Sequence, residues 1–376
     1  MEPKKLLEYF ESRMDTILDS IREVVDIESP SHDAGRSREV VDWVERQAMA
    51  TGAEITVERE TVADGDHLII RAFPSERKCS MLLGHTDTVH PVGTRGQNAT
   101  RIDGDKFYGC GIFDMKSGIV LMLESLRYFA FTRSRPARPI TIVLSCDEEV
   151  GSFTGRTIVE REAEKGEHCL VFEPSADGNV KTGRKGTGMF TVRAHGIPAH
   201  AGLEPEKGAN AIVELARQIE SVNATANPKI GTTVNVTTIR GGTTTNVIPE
   251  HAECAVDVRF SSMAEATRVE TAIRALGSID PRVSIEILGD INRPPMERTV
   301  AVVELFEKAR GLAASFGYKL GETQVGGASD GNFIAALGVP LLDGLGIAGA
   351  GAHTLNEHIL VSDIAKRATL IALLLS

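Results

Sequence analysis

The chain has 376 residues, 25% of them charged and 42% hydrophobic, and carries a formal net charge of −11 at pH 7. That length exceeds what one hydrophobic core usually supports, so about two domains are expected, and the acidic balance without a Lys/Arg block excludes a nucleic-acid footprint. No apolar run reaches the roughly 20 residues of a membrane span, and Cys79, Cys110, Cys146, Cys169 and Cys254 show no paired spacing, which fits a reducing, cytoplasmic setting.

In chain order, Leu6, Leu7, Phe10, Met14, Ile17, Leu18, Ile21, Val24 and Val25 recur at helical spacing, predicting one amphipathic surface helix rather than a secretory signal. Short apolar runs follow at "MLLGHTD" (81–87), "ITIVLSCDEE" (140–149) and "HCLVFEPS" (168–175), with a helical stretch after Asp114 between the first two. They read as buried parallel strands of an α/β sheet. From about residue 186 the order becomes strand, helix, strand, strand, helix, strand, closed by "VSIEILGD", which predicts an inserted ferredoxin-like α+β domain over 186–292. After "NRPPM" the first pattern returns, so residues 1–185 and 293–376 are expected to form one discontinuous domain.

Each buried run of the first domain ends in a metal-competent side chain: His85 and Asp87, then Glu148 and Glu149, then Glu173. In open α/β sheets ligands bind at the carboxyl ends of the strands, and Asp114, opening a helix after a Gly-rich turn, would reach the same rim. Carboxylates gathered beside an imidazole need compensating cations. Bound divalent metal is the economical source. Mixed imidazole and carboxylate donors suit zinc, with cobalt or manganese as substitutes. The donors exceed the needs of one ion, so two are expected, with Asp114 the natural bridge.

The motifs "GHTDTV", "GIFDMKSG", "DEEVGS", "EPS", "GIPAHAGLEPEKGANAI", "TNVIPE", "GGASDGN" and "GAHTLNEH" occur in this order along the chain. Together they resemble the co-catalytic zinc amidohydrolases, the family of glutamate carboxypeptidases, aminoacylases, acetylornithine deacetylases and succinyl-diaminopimelate desuccinylases. The resemblance implies a zinc-peptidase-like catalytic domain with a lid used for dimerisation. It also implies His85, Asp114 and Glu173 around one ion, and Asp114, Glu149 and His353 around the other. Asp87 would orient His85, Glu148 would act as general base, and His200 would reach the active site of a partner subunit in a homodimer. Asn246, Arg259 and Arg293 sit where family members contact substrate.

The expected reaction is hydrolysis of an amide or peptide bond next to a free carboxylate. The substrate would be a small peptide or N-acyl amino acid, with a glutamate-carboxypeptidase preference, or else a biosynthetic deacylase substrate of the acetylornithine or succinyl-diaminopimelate type. Histidines 32, 67, 168 and 251 are read as structural or solvated, and His90 as lying beyond the strand end. His358 competes with His353 for the ligand role, and family position selects His353. A non-catalytic binding protein would lack Glu148 or a ligand, and none is missing. A doubly wound nucleotide-binding protein would need "GxGxxG" or "GxxxxGK", and neither occurs.

Overall fold

The computed structural model describes residues 2–376, which form two compact units. Unit one runs from the N-terminus to Gly183 and again over Arg298–Gln324 and Ser329–Ser376; unit two comprises Arg184–Glu297 with Val325–Ala328.

The main sheet of unit one contains strands β1 (Ile55–Val62), β2 (Gly65–Ala72), β3 (Cys79–His85), β4 (Ile140–Ser145) and β5 (Gly166–Val171). The order is β1-β2-β4-β3-β5, ending at the short edge strand Leu341–Leu342. Strands β4, β3, β5 and Leu341–Leu342 are parallel, whereas β1 and β2 form an antiparallel hairpin joined antiparallel to β4. Every residue of β3 and β4 is buried, as expected for strands covered on both faces. The helices of this unit include α1 (Pro3–Ser12), α2 (Met14–Asp26), α3 (Ala34–Met49), α4 (Ser117–Thr132) and α5 (Gly155–Ala163), then Val300–Ala314, Gly331–Ala336 and Val361–Leu374. Helix α4 and Val361–Leu374 are buried around nearly their whole circumference, so their sequences lack a polar face. The mostly parallel α/β sheet expected from the sequence is present, extended by the antiparallel β1–β2 hairpin.

Three local readings differ. The single N-terminal helix is two, because the chain breaks at Arg13 (φ −102°, ψ 2°), whose guanidinium is drawn onto the buried Glu124 carboxylate at 2.7 and 3.1 Å. An ion pair 111 residues apart in sequence leaves no periodic signal. The hairpin β1–β2 was not anticipated: its second strand is buried but carries Asp66, His67 and Arg71 among its apolar residues, and its first is half polar. In the returning α/β pattern after "NRPPM", the apolar stretch "VPLLDGLG" (339–346) yields only the two-residue strand Leu341–Leu342, paired in parallel with Cys169–Leu170.

Unit two contains β6 (Gly186–His195), α6 (Ala211–Asn223), β7 (Thr233–Gly241), β8 (His251–Phe260), α7 (Met263–Arg274) and β9 (Ser284–Arg293). Its sheet runs β7-β8-β6-β9 with every pair antiparallel, the ferredoxin-like order. Asn210 and Ser262 cap α6 and α7 by accepting from Val213 and Glu265 backbone N–H groups. Phe190, Val192, Ala194, Cys254, Val256 and Val258 form a core with both helices on one sheet face. Alternation leaves the opposite face open.

Candidate active site

Parallel pairing brings the carboxyl ends of β3, β4 and β5 to one edge. His85 is the last residue of β3, and Glu173 lies two residues beyond β5. After β4 the chain enters a tight turn over Glu148–Val150, ended by Gly151 at φ 109°, a backbone region that glycine enters without strain. The three neighbouring carboxylates then part. Asp147 turns away to accept from Thr154 N, Thr154 Oγ1 and Gly155 N at 2.7, 2.8 and 3.1 Å, satisfying the start of α5. Glu148 and Glu149 stay at the rim.

Two imidazoles face opposite oxygens of one carboxylate. His85 Nε2 lies 3.1 Å from Asp114 Oδ1 and 3.4 Å from Glu173 Oε1. His353 Nε2 lies 3.3 Å from Asp114 Oδ2 and 3.3 Å from Glu149 Oε2. Two N or O donors around one tetrahedral zinc stand about 3.3–3.5 Å apart, given Zn–N and Zn–O distances of about 2.0–2.2 Å. The spacings therefore fit donor sets for divalent cations. Glu149 Oε1 adds a buried oxygen without a hydrogen-bond partner, a vacancy in bonding that a cation satisfies. His85, Glu148 and Glu173 also bring potential ligand atoms within 4.8 Å of one another, as do His85, Asp114 and Glu149.

Asp87 organises this rim from behind. Its carboxylate accepts from Ser31 Oγ at 2.7 Å, Glu148 N at 3.2 Å and Glu149 N at 3.1 Å. His85 Nδ1 lies 3.0 Å from the Asp87 carbonyl oxygen, an acceptor only, so Nδ1 carries a proton and Nε2 is the nitrogen left for a metal. Burial alone would lower the His85 imidazole, but the Asp114, Asp87 and Glu173 carboxylates outweigh it and hold it well above its ordinary pKa. Burial raises Asp114, yet hydrogen bonds from His353 and His85 hold it below the usual carboxylate range. His353 is pushed up to about 10 by hydrogen bonds to Asp114 and Glu149.

The residue that the sequence reading missed is Glu357. Fully buried, it accepts from Phe113 N and Asp114 N at Oε1, both 2.9 Å, and from Gly111 N at Oε2, 2.8 Å. His90 Nε2 adds a contact at 2.7 Å to Oε2. One carboxylate thus holds the Gly111–Asp114 turn, which ends in a cis Asp114–Met115 peptide. Gly111 sits at φ 71°, and a Cβ there would come 2.5 Å from Thr88 Cγ2. His353 itself adopts φ 64°, a strained conformation for a non-glycine residue that clusters at functional sites. The "NEH" triplet of the last motif is the available signal, an acid set between the two candidate histidines His353 and His358.

Asp330 of "GGASDGN" is buried and accepts from Ser145 Oγ at 2.9 Å and from Ser152 Oγ. That loop therefore braces both ends of the Glu148 turn. Cys146 is buried, its thiol pushed up to about 12 by burial, in keeping with an inert packing role.

The other four sequence candidates, His200, Asn246, Arg259 and Arg293, belong to unit two. His200 pairs across a short ladder with Val247, and Ala201 N donates to Asn246 O at 2.9 Å, making His200 and Asn246 neighbours. His200 is exposed, and its Nδ1 accepts from Gly202 N and Leu203 N, both at 3.1 Å; the neutral ring then carries its proton on Nε2. Arg259 and Arg293 both pair with Thr187, from the two strands flanking β6. The Arg259 guanidinium grips Asp257 at 2.8–3.1 Å.

Comparison with known proteins agrees with this architecture. Carboxypeptidase G2 of Pseudomonas sp. (strain RS-16) is 28% identical over 358 residues, covering 93% of this chain and 86% of that protein. Succinyl-diaminopimelate desuccinylase of Delftia acidovorans is 30% identical over 314 residues, covering 77% and 79%. Among solved structures, aminopeptidase PepT from Bacillus cereus superposes with a TM-score of 0.76 at 22% identity, covering 96% of this chain and 98% of that one. The metallo-carboxypeptidase Sso-CP2 from Sulfolobus solfataricus gives 0.72 at 15%, covering 96% and 98%. Residues 81–376 match the model of peptidase family M20/M25/M40, and with the strand-end site lying inside that span, the chain belongs to this family of metal-dependent hydrolases.

Proposed function

We propose that this protein is a dinuclear hydrolase that cleaves an amide or peptide bond next to a free carboxylate, with carboxypeptidase preference for an acidic C-terminal residue. The observation that carries the reading is the division of Asp114 between two imidazole–carboxylate sets. His85, Asp114 and Glu173 would hold one ion, and Asp114, Glu149 and His353 the other. Zinc fits these donors, with cobalt or manganese as substitutes. When bound, such ions lower the pKa of a coordinated water to about 7 and polarise a carbonyl oxygen.

Glu148 sits 8% exposed beside the donor sets without being needed by either. It takes the proton of the attacking water and returns it to the departing amine. Asp87 keeps the Glu148 and Glu149 backbone in place through its two N–H bonds. The Nε2–H of His200 is a donor suited to negative charge building on the carbonyl oxygen, supplied across a homodimer. Arg259 and Arg293, with Asn246, supply the guanidinium and amide groups that a substrate carboxylate requires. Five free, buried cysteines favour a reducing, cytoplasmic setting. Among the described residues no helix is long and apolar enough to cross a membrane.

The likeness to a desuccinylase at 30% identity supports one alternative, an N-acyl-amino-acid deacylase using the same groups. Hydrolysis of a panel of peptides ending in glutamate and of N-acyl amino acids, with metal content measured on the same sample, tests both. Two ions per chain and fastest turnover on the glutamyl substrates are expected. A metal-free active enzyme would end the proposal, and faster turnover on N-succinyl or N-acetyl substrates would transfer it to the deacylase reading.

A further inference from the structure

The open face of the unit-two sheet carries a second gathering of imidazoles. His195 ends β6 and His251 begins β8, and the two are direct cross-strand partners. Since Ala194 and Ala252 are buried in the helix-covered core, alternation turns His195 and His251 to the other face. Their rings meet edge to face with centroids 5.4 Å apart, and the two Nδ1 atoms are 3.3 Å apart. The remote Nε2 atoms approach carboxylates instead: His195 Nε2 lies 3.4 Å from Glu286 Oε2, and His251 Nε2 lies 3.8 Å from Glu250 Oε1.

The Glu286 carboxylate near His195 Nε2 favours the tautomer protonated there, which turns the His195 Nδ1 lone pair toward His251, and His251 in the same tautomer turns its own lone pair to the same point. Two lone pairs at that separation repel unless a cation lies between them. Donors on a tetrahedral zinc-like ion stand about 3.3–3.4 Å apart, from Zn–N of about 2.0–2.1 Å. A cavity of about 350 Å³, lined partly by His195, His251, Glu250 and Glu253, adjoins the pair and leaves room for water or a further oxygen ligand.

We propose that His195 and His251 form a separate, solvent-facing site for a divalent d-block cation of the zinc, copper or nickel type, with Glu286 and Glu250 orienting the rings. Imidazole donors suit these ions and not magnesium or calcium. The proposal stands independently of the hydrolytic reading, because none of the four residues is placed in that machinery.

The test uses full-length enzyme whose catalytic ions are already in place, titrated with copper(II) and followed by equilibrium dialysis and electron paramagnetic resonance. One further copper per chain with superhyperfine splitting from two nitrogens is expected. Either His195→Gln or His251→Gln removes both signals, and Glu286→Gln weakens binding about tenfold, the usual effect of losing a carboxylate that orients a ligating histidine. Hydrolytic rate is unchanged in His251→Gln. No added copper in the unaltered enzyme, or full uptake in both histidine variants, overturns the proposal. Loss of copper uptake only when the catalytic ions are fully loaded would place that copper in the catalytic centre and overturn it equally.

Discussion

Replacing Glu357 tests whether the Asp114 turn is held from a distance. In Glu357→Gln the shape is kept and the charge removed. The amide oxygen, placed at Oε1, still accepts from Phe113 N and Asp114 N. The amide NH2 then faces Gly111 N–H and His90, in place of Oε2. His90 can answer by changing tautomer and accepting. Gly111 N–H cannot, and a buried unsatisfied donor costs about 1–3 kcal/mol. Glu357→Ala leaves all three backbone donors and the His90 contact without their acceptor. Hydrogen bonds to a charged group contribute about 1.5–3 kcal/mol each and do not add, so a loss of about 3–5 kcal/mol is expected, a large share of a typical total of about 5–15 kcal/mol. In the proposed dinuclear arrangement part of the cost falls on metal binding, since Asp114 would donate to both sets. Removal of a group that orients a ligand weakens metal binding about 10–100-fold. Denaturant unfolding of the metal-free protein and chelator competition of the loaded protein read the two effects separately. Glu357→Gln with stability within about 0.5 kcal/mol of the parent and unaltered metal affinity would refute the reasoning.

Further outcomes follow from the same geometry. Glu148→Gln keeps both ions by elemental analysis but loses about 10²–10⁴-fold in kcat, the scale of general acid–base catalysis; near-parental turnover would remove Glu148 from the role of base. His200→Ala folds normally by circular dichroism yet lowers kcat, and mixing it with Glu148→Gln restores part of the activity if His200 acts across a dimer, whereas no recovery would place the reaction within one chain. Burial, with Lys308 and Arg138 nearby, pushes His168 down to about 4. The unfolded chain therefore binds this proton first, so the stability contribution is complete above about pH 6.5 and lost as pH falls toward 4, by up to about 3 kcal/mol. His168→Leu should flatten that slope in denaturant titrations, and an unchanged slope would argue against it.

Strand-end chemistry was the most legible feature. His85, Glu148, Glu149 and Glu173 each follow an apolar run of strand length, and parallel pairing needs only the α/β pattern to bring such ends to one rim. The βαββαβ order of unit two was equally plain, because each element there alternates or repeats with its own period. Less could be read where an element depends on a remote partner. The break at Arg13 needs Glu124, the edge strand Leu341–Leu342 needs β5, and β1 needs β2.

The sequence by itself determined which side chains could bind metal and roughly where along the chain they stand, since residue chemistry and periodicity are local. Only the tertiary structure decided that Asp114 turns one oxygen to His85 and the other to His353, and that Glu357, 243 residues away, accepts the Asp114 amide. Those choices come from satisfying buried backbone donors and desolvated charges together, a condition set by everything packed nearby.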